Sequence, residues 1–262
     1  MWLLHLLGAA VGWLAFLLSP TYRRRFIGNA RQAGYGFAQV RGAVAEAGRM
    51  GLETPRLWLG EPPRIIWEGE RLVEEVLARQ RGMLLLTPHL GCFEICAQAY
   101  AQRFGPITVL YRPARKPWLR DIVGSARQRA NLATAPATLA GVRQMLRVLK
   151  SGGVVGLLPD QVPPQGLGVW APFFGRDAYT MTLPARLVQQ TGVQPLLIWG
   201  ERLPHGRGYR VRVVQWEGDL AAAPEVAAAR VNAQMERLVR QCPQQYLWGY
   251  GRYKTPRQEL QP

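Results

Sequence analysis

The chain is poor in lysine, histidine and cysteine. Three cysteines and three histidines stand in 262 residues, and the only lysines are Lys116, Lys150 and Lys254. An odd set of cysteines (Cys92, Cys96 and Cys242) without C-x-x-C spacing argues against a disulfide framework or a zinc site. No G-x-x-x-x-G-K-[ST] segment is present, so a P-loop nucleotide site is not indicated. Internal repeats and low-complexity tracts are absent, and Pro and Gly are spread along the chain rather than pooled in a linker. The length suits one large α/β domain with a sizeable core. Acidic residues are also scarce: 17 Asp and Glu face 33 Lys and Arg, a net charge of +16. Such a surface attracts polyanions, whether nucleic acid, anionic lipid headgroups or an acidic protein. Arginine, which dominates, suits bidentate phosphate binding better than lysine does. A basic nucleic-acid-binding protein would explain the charge, yet no DNA- or RNA-binding signature accompanies it.

What is present begins at the N-terminus. Trp2 to Leu18 is almost wholly apolar, interrupted by His5 and ended by Ser19-Pro20. As a helix of about 17 residues it spans about 25 Å, slightly short of the roughly 30 Å hydrocarbon core. No basic residue precedes the run and Arg23-Arg24-Arg25 follow it. That is unlike a secretory signal, and the positive-inside rule puts the body of the protein in the cytoplasm. The expectation is a shallow or tilted membrane anchor over residues 1–19, with His5 at the headgroup level, followed by one catalytic domain over 20–262. Tyr22 to Gly48 reads as helical, with arginines between apolar residues. It suits either a membrane surface or an ordinary amphipathic helix.

Beyond it, strands and helices alternate. Strands are expected at 64–67, 82–87, 107–111, 154–158, 193–200 and 209–214. Helices are expected at 70–79, 93–104, 118–129, 137–150, 182–190 and 224–240. That order predicts an α/β fold with a mostly parallel central sheet flanked by helices. Gly206-Arg207-Gly208 predicts an antiparallel edge hairpin between the last two strands.

The most informative segment is Thr87-Pro88-His89-Leu90-Gly91-Cys92-Phe93-Glu94. It follows the apolar run Met83-Leu84-Leu85-Leu86, so His89 falls at the carboxyl end of a strand, where open α/β sheets carry their sites. Residues five apart on one helix differ by about 140° and do not face each other. With His89 in the turn before the helix, however, Glu94 can reach back to it. The carboxylate would fix the ring tautomer and stabilise the imidazolium, leaving the other nitrogen to take a proton from an alcohol. An arbitrary H-x-x-x-x-E is more often a capping turn with a buried histidine. Backbone N–H groups near Gly91 are candidate oxyanion donors. Cys92 reads as a small buried apolar residue rather than a nucleophile.

The segment resembles the H-x-x-x-x-D/E motif of the glycerolipid-type acyltransferase superfamily. More of the chain is similar to one branch, the late (lauroyl/myristoyl) acyltransferases of lipid A biosynthesis. Tyr111-Arg112-Pro113 with Lys116-Pro117 resembles its Y-R-P-x-x-x-P, Arg127-Gln128-Arg129 its R-x-R, Asp160-Gln161 its D-Q/D-H, and Pro172-Phe173-Phe174-Gly175 its P-F-F-G. Pro243 to Trp248 with Arg252-Tyr253-Lys254 resembles its terminal P-E-Q-Y-x-W…R-[FY]-K block, with Gln244 in place of the usual Glu.

The resemblance implies a glycerolipid-acyltransferase-like fold and an O-acyltransferase with no metal or cofactor. It would move an acyl chain from acyl carrier protein to a hydroxyl of a lipid A precursor, with His89 as base and Glu94 as its partner, without an acyl-enzyme. Arg127 and Arg129 would bind phosphate or developing charge, and Tyr111 and Arg112 would join them at the substrate. Asp160 and Gln161 would hold the acceptor hydroxyl or pin an arginine, although a turn role is equally open. Phe173 and Phe174 would line an acyl groove, although aromatic clusters are more often core. The implied partners are acyl carrier protein, anionic membrane lipid and the lipid A precursor, with no nucleic acid and a monomeric chain. The implied location is the cytoplasmic face of a bacterial inner membrane. A lysophospholipid, ornithine lipid or glycolipid acceptor is the alternative.

Overall fold

The computed structural model describes residues 1–111 and 130–258. The expected helix at 118–129, with Arg112, Arg127 and Arg129, lies outside the described residues. Among the described residues nine strands run in chain order as β1 (Ile65–Glu68), β2 (Met83–Leu86), β3 (Ile107–Tyr111), β4 (Leu132–Pro136), β5 (Val154–Leu157), β6 (Gly168–Phe173), β7 (Arg176–Met181), β8 (Gln194–Arg202) and β9 (Tyr209–Gln215). The helices are α1 (Trp2–Leu18), α2 (Pro20–Gln32), α3 (Phe37–Val40), α4 (Gly42–Leu59), α5 (Arg71–Ala78), α6 (Phe93–Arg103), α7 (Leu139–Lys150), α8 (Leu183–Thr191) and α9 (Pro224–Gln241).

Seven strands form one sheet in the order β1-β9-β8-β2-β5-β3-β4. From β8 to β4 all neighbours are parallel, and the one antiparallel junction is β8 with β9. The hairpin predicted at Gly206-Arg207-Gly208 is therefore antiparallel, but it is not at the edge. Four residues of β1 pair in parallel with the outer side of β9, from Ile65 opposite Tyr209 to Glu68 opposite Arg212. Arg210 and Arg212 of β9 pair with Glu68 and Glu201 on the flanking strands, which satisfies a row of charge along this end of the sheet.

Strand β2 is central and buried along its length, because both faces of the sheet are covered. Leu84 and Leu86 belong to the core that packs on α2, α7, α8 and α9, while Met83 and Leu85 point into the opposite core with α5 and α6. This is why Met83-Leu84-Leu85-Leu86 reads as an unbroken apolar run rather than an alternating one. Sequence periodicity did not indicate β4 or the separate β6–β7 hairpin. The Phe173-Phe174-Gly175-Arg176 stretch is the tight turn of that hairpin, with Phe174 and Gly175 both at positive φ.

Among the described residues, no single helix is long and apolar enough to cross a membrane, and α1 bends by 98° into α2. Ser19 caps α2 by accepting from Tyr22 N at 3.3 Å, and Pro20 takes the first helical position, where its missing N–H is harmless. His5, expected at the headgroup level, faces the protein interior: it is 6 % exposed and pairs with the buried Glu53 of α4, Nε2 to Oε2 2.9 Å. The expected helix from Tyr22 to Gly48 is divided among α2, α3 and the start of α4.

Candidate active site

The site is built at the carboxyl ends of β2 and its parallel neighbour β5. Three residues beyond β2 stands His89, and three beyond β5 stands Asp160. Asp160 grips His89 twice: Oδ1 lies 2.6 Å from the ring Nδ1, and Oδ2 accepts the His89 backbone N–H at 2.8 Å. With Nδ1–H donating to the carboxylate, Nε2 carries the lone pair. Gln161 Nε2 lies 2.9 Å from it, a distance at which the amide donates to the ring. The ring edge packs on Phe93 at 4.7 Å between centroids.

Asp160 is 2 % exposed. Burial alone would push its carboxyl up. The charge of His89, the two hydrogen bonds from His89 and the charge of Arg252 outweigh burial and hold it below the usual carboxylate range. This is the electrostatic setting of a carboxylate that stays ionised while it orients an imidazole.

The carboxylate on the ring is thus Asp160, 71 residues away, and not Glu94. Gly91 adopts a left-handed conformation (φ +59) between His89 and α6, and it pairs with Gly200 of β8. That turn starts α6 at Phe93 and places Glu94 in its first turn, where Oε2 accepts from Trp58 Nε1 at 3.1 Å. A side chain at position 91 would put its Cβ 2.0 Å from the Gly200 carbonyl oxygen, so glycine is required. The N–H groups proposed as oxyanion donors are also occupied. Leu90 N donates to Pro88 O, Gly91 N to Gln245 O and Cys92 N to Gly200 O.

The C-terminal segment forms the wall behind the pair. Leu90 bridges to Tyr246, and Leu247 N donates to His89 O at 3.2 Å. The Tyr246 hydroxyl reaches Asp160 Oδ2 at 3.4 Å, and Val162 N donates to the Tyr250 hydroxyl at 3.0 Å. The Gln245 side chain closes a two-way pair with the Arg202 backbone, at 2.9 and 3.0 Å. Arg252 is buried on Tyr179 O, Thr180 Oγ1 and Asn232 Oδ1, under the face of Phe173. Tyr246, Tyr250 and Arg252 are site residues that sequence spacing did not single out. The only signal for Tyr246 and Arg252 was the terminal block, and Tyr250, between its two parts, had none.

Phe173 and Phe174 lie in the core rather than on an open groove. They contact each other, Tyr253 and Trp248, and the void beside them is about 10 Å³, room for one water at most. Tyr111 ends β3 and is half-buried, on the far side of β5 from β2. Cys92 and Cys96 are buried. Burial, reinforced by the charge of Glu53, pushes the Cys92 thiol well up, and burial takes Cys96 to about 12. Neither is a thiolate near neutral pH. Among the described residues no group of three or more His, Cys, Asp or Glu could hold a metal ion.

Residues 38–255 match a family model described as bacterial lipid A biosynthesis acyltransferase. The lipid A biosynthesis lauroyltransferase of Escherichia coli K12 is 29% identical over 216 residues, covering 79% of this chain and 69% of that protein. The palmitoleoyltransferase of the same organism is 24% identical over 209 residues, 78% of this chain and 67% of its own length. Its myristoyltransferase is 26% identical over 205 residues, 76% of this chain and 62% of that protein.

Proposed function

The chain belongs to the bacterial lipid A biosynthesis acyltransferase family, and from that premise we propose that it moves a fatty acyl chain from an acyl carrier protein thioester to a hydroxyl of a lipid A precursor. The observation that carries the mechanism is the His89–Asp160 pair, Nδ1 to Oδ1 2.6 Å, at the ends of two adjacent parallel strands. Asp160 fixes the tautomer, so Nε2 is the base. It takes the proton of the acceptor hydroxyl as that oxygen attacks the thioester carbonyl carbon. Collapse of the tetrahedral intermediate breaks the C–S bond, and the imidazolium returns the proton to the departing thiolate. No acyl-enzyme is needed, because a thioester is already activated and the base and both substrates are aligned.

Gln161 occupies Nε2 in the free enzyme. The acceptor hydroxyl displaces that contact, and the Gln161 amide then holds the hydroxyl oxygen. Glu94 is the second carboxylate of the site, beside Phe93, which touches the His89 ring. Its charge favours the imidazolium that forms during transfer. Arg127 and Arg129, with Tyr111 and Arg112, recognise phosphate on the acceptor or donor. The net charge of +16 suits both an acidic carrier protein and the anionic cytoplasmic face of an inner membrane.

Mass spectrometry of lipid A from cells with and without the gene tests the acceptor. A mass difference of one acyl group is expected, and unchanged lipid A sinks the assignment. Transfer from an acyl carrier protein thioester by purified His89→Ala tests the mechanism, and full activity there ends it.

A further inference from the structure

Helix α1 has two unlike faces. One is seated on the domain from its first turn to its last. A Cβ at Gly206 would meet Trp2 N at 2.7 Å, which places the start of α1 against the β8–β9 turn. His5 then pairs with Glu53. At Gly12 a Cβ would lie 2.2 Å from Val44 O, and at Gly48 it would lie 2.0 Å from Gly8 O, so α1 and α4 touch backbone to backbone. Phe16 packs on Phe26 and Phe37. Arg23 closes the last turn by donating to the Phe16 and Leu17 carbonyls. The other face is exposed and wholly apolar, formed by Leu3, Leu6, Leu7, Val11, Leu14 and Leu17 with Leu18 at its end.

We propose that α1 lies in the plane of an anionic bilayer, sunk into one leaflet along its exposed face, and does not cross it. The proposal deepens the membrane association proposed above and does not depend on the acyl chemistry. A spanning helix would have to leave α4, because α4 carries Glu46, Arg49, Glu53 and Arg56 and cannot follow it into hydrocarbon. Leaving would strip His5 from Glu53 and open a buried network. In that network Arg202 binds Glu46 and Glu53, Tyr209 donates to Glu53 at 2.8 Å, and Arg202 reaches Gly91 O at 3.4 Å. The 98° bend at Ser19-Pro20 turns α2 out of the line of α1, and the exposed Arg24 and Arg25 follow Arg23, which holds the last turn of α1. An apolar face joined to an arginine cluster is what an interfacial helix offers to anionic headgroups.

The test uses the full chain in phosphatidylethanolamine–phosphatidylglycerol vesicles. The native cysteines are all buried, so single labels at Leu3→Cys, Val11→Cys and Leu18→Cys report on α1. Quenching by lipid nitroxides at two depths is expected to place all three at one shallow level. A profile with Val11 deepest, at the bilayer centre, overturns the proposal. The Leu7→Glu/Leu14→Glu variant is expected to lose vesicle flotation while keeping its melting temperature, since both positions are exposed. Undiminished flotation overturns the proposal as well. So does a dimer through this face that persists on vesicles, which would assign the face to a second copy of the chain. In-plane depth with no transfer in detergent would leave the helix placement standing and remove the chemistry.

Discussion

Asp160 and Glu53 are two buried carboxylates with opposite uses. Glu53 is 0 % exposed and bonded by Arg202, His5 and Tyr209 at once. Burial would raise its pKa, but the Arg202 bonds and charge, with His5 and Tyr209, bring it down to about 2. Four donor atoms converge on it, inside the scaffold that seats α1 on the sheet. Asp160 also stays ionised, but its main partner is an imidazole whose second nitrogen meets the Gln161 amide at 2.9 Å. Burial alone therefore does not tell a carboxylate that orients a ring from one that ties a scaffold together; the partner does.

Breaking the Asp160 side should affect rate most. His89→Ala is expected to lower kcat by about 10²–10⁴-fold, the usual contribution of a positioned base. Asp160→Asn should approach that loss, because an amide favours the wrong tautomer and cannot stabilise the imidazolium. Steady-state transfer assays beside thermal melts check both. If Glu94→Gln costs more than Asp160→Asn, Glu94 rather than Asp160 is the charge that matters in the transition state.

Breaking the Glu53 side should affect stability instead. Glu53→Ala leaves the buried Arg202 with Glu46 alone of its two carboxylates and is expected to destabilise by about 3–5 kcal/mol, read by chemical denaturation. Residual folded protein should retain its KM. A change in kcat alone would show that the Arg202 contact to Gly91 also shapes the catalytic turn.

Acid should affect both carboxylates in the same direction. Each has a depressed folded-state pKa, so each contributes stability that is complete above its unfolded value and lost as pH falls through the folded one. For Glu53 the window runs from its ordinary 4.5 down to about 2. Wild-type unfolding is expected to steepen below pH 4.5, and Glu53→Gln should flatten that slope. An unchanged slope would mean that other groups govern acid unfolding.

The smallest effects concern neighbours. Gln161→Leu should lower kcat/KM by roughly 10-fold, the loss of one hydrogen bond of about 1.5 kcal/mol. Cys92→Ala should leave transfer intact. A correctly folded but inactive Cys92→Ala would restore a thiol nucleophile.

Much of this was legible in the chain. The run Met83 to Leu86 indicated a buried strand, and strand-end logic placed His89 at its carboxyl end. The β4 strand escaped notice because Leu132-Ala133-Thr134-Ala135-Pro136 has neither an apolar run nor alternation and depends on its pairing with β3. His5 was misplaced for a related reason. A polar residue in an apolar helix looks solvent-seeking until its partner, 48 residues on, is known.

The sequence by itself determined most of the elements, the family and the histidine, because hydrophobic period, glycine placement and local motifs act over a few residues. Only the tertiary structure decided which carboxylate holds that histidine. Glu94 is five residues away, but the left-handed turn at Gly91 and the start of α6 carry it to Trp58. Asp160 is distant in the chain, but parallel pairing of β2 with β5 brings its carboxylate to 2.6 Å from the ring. Sheet order, set by burial on both faces and not by any local pattern, made that choice.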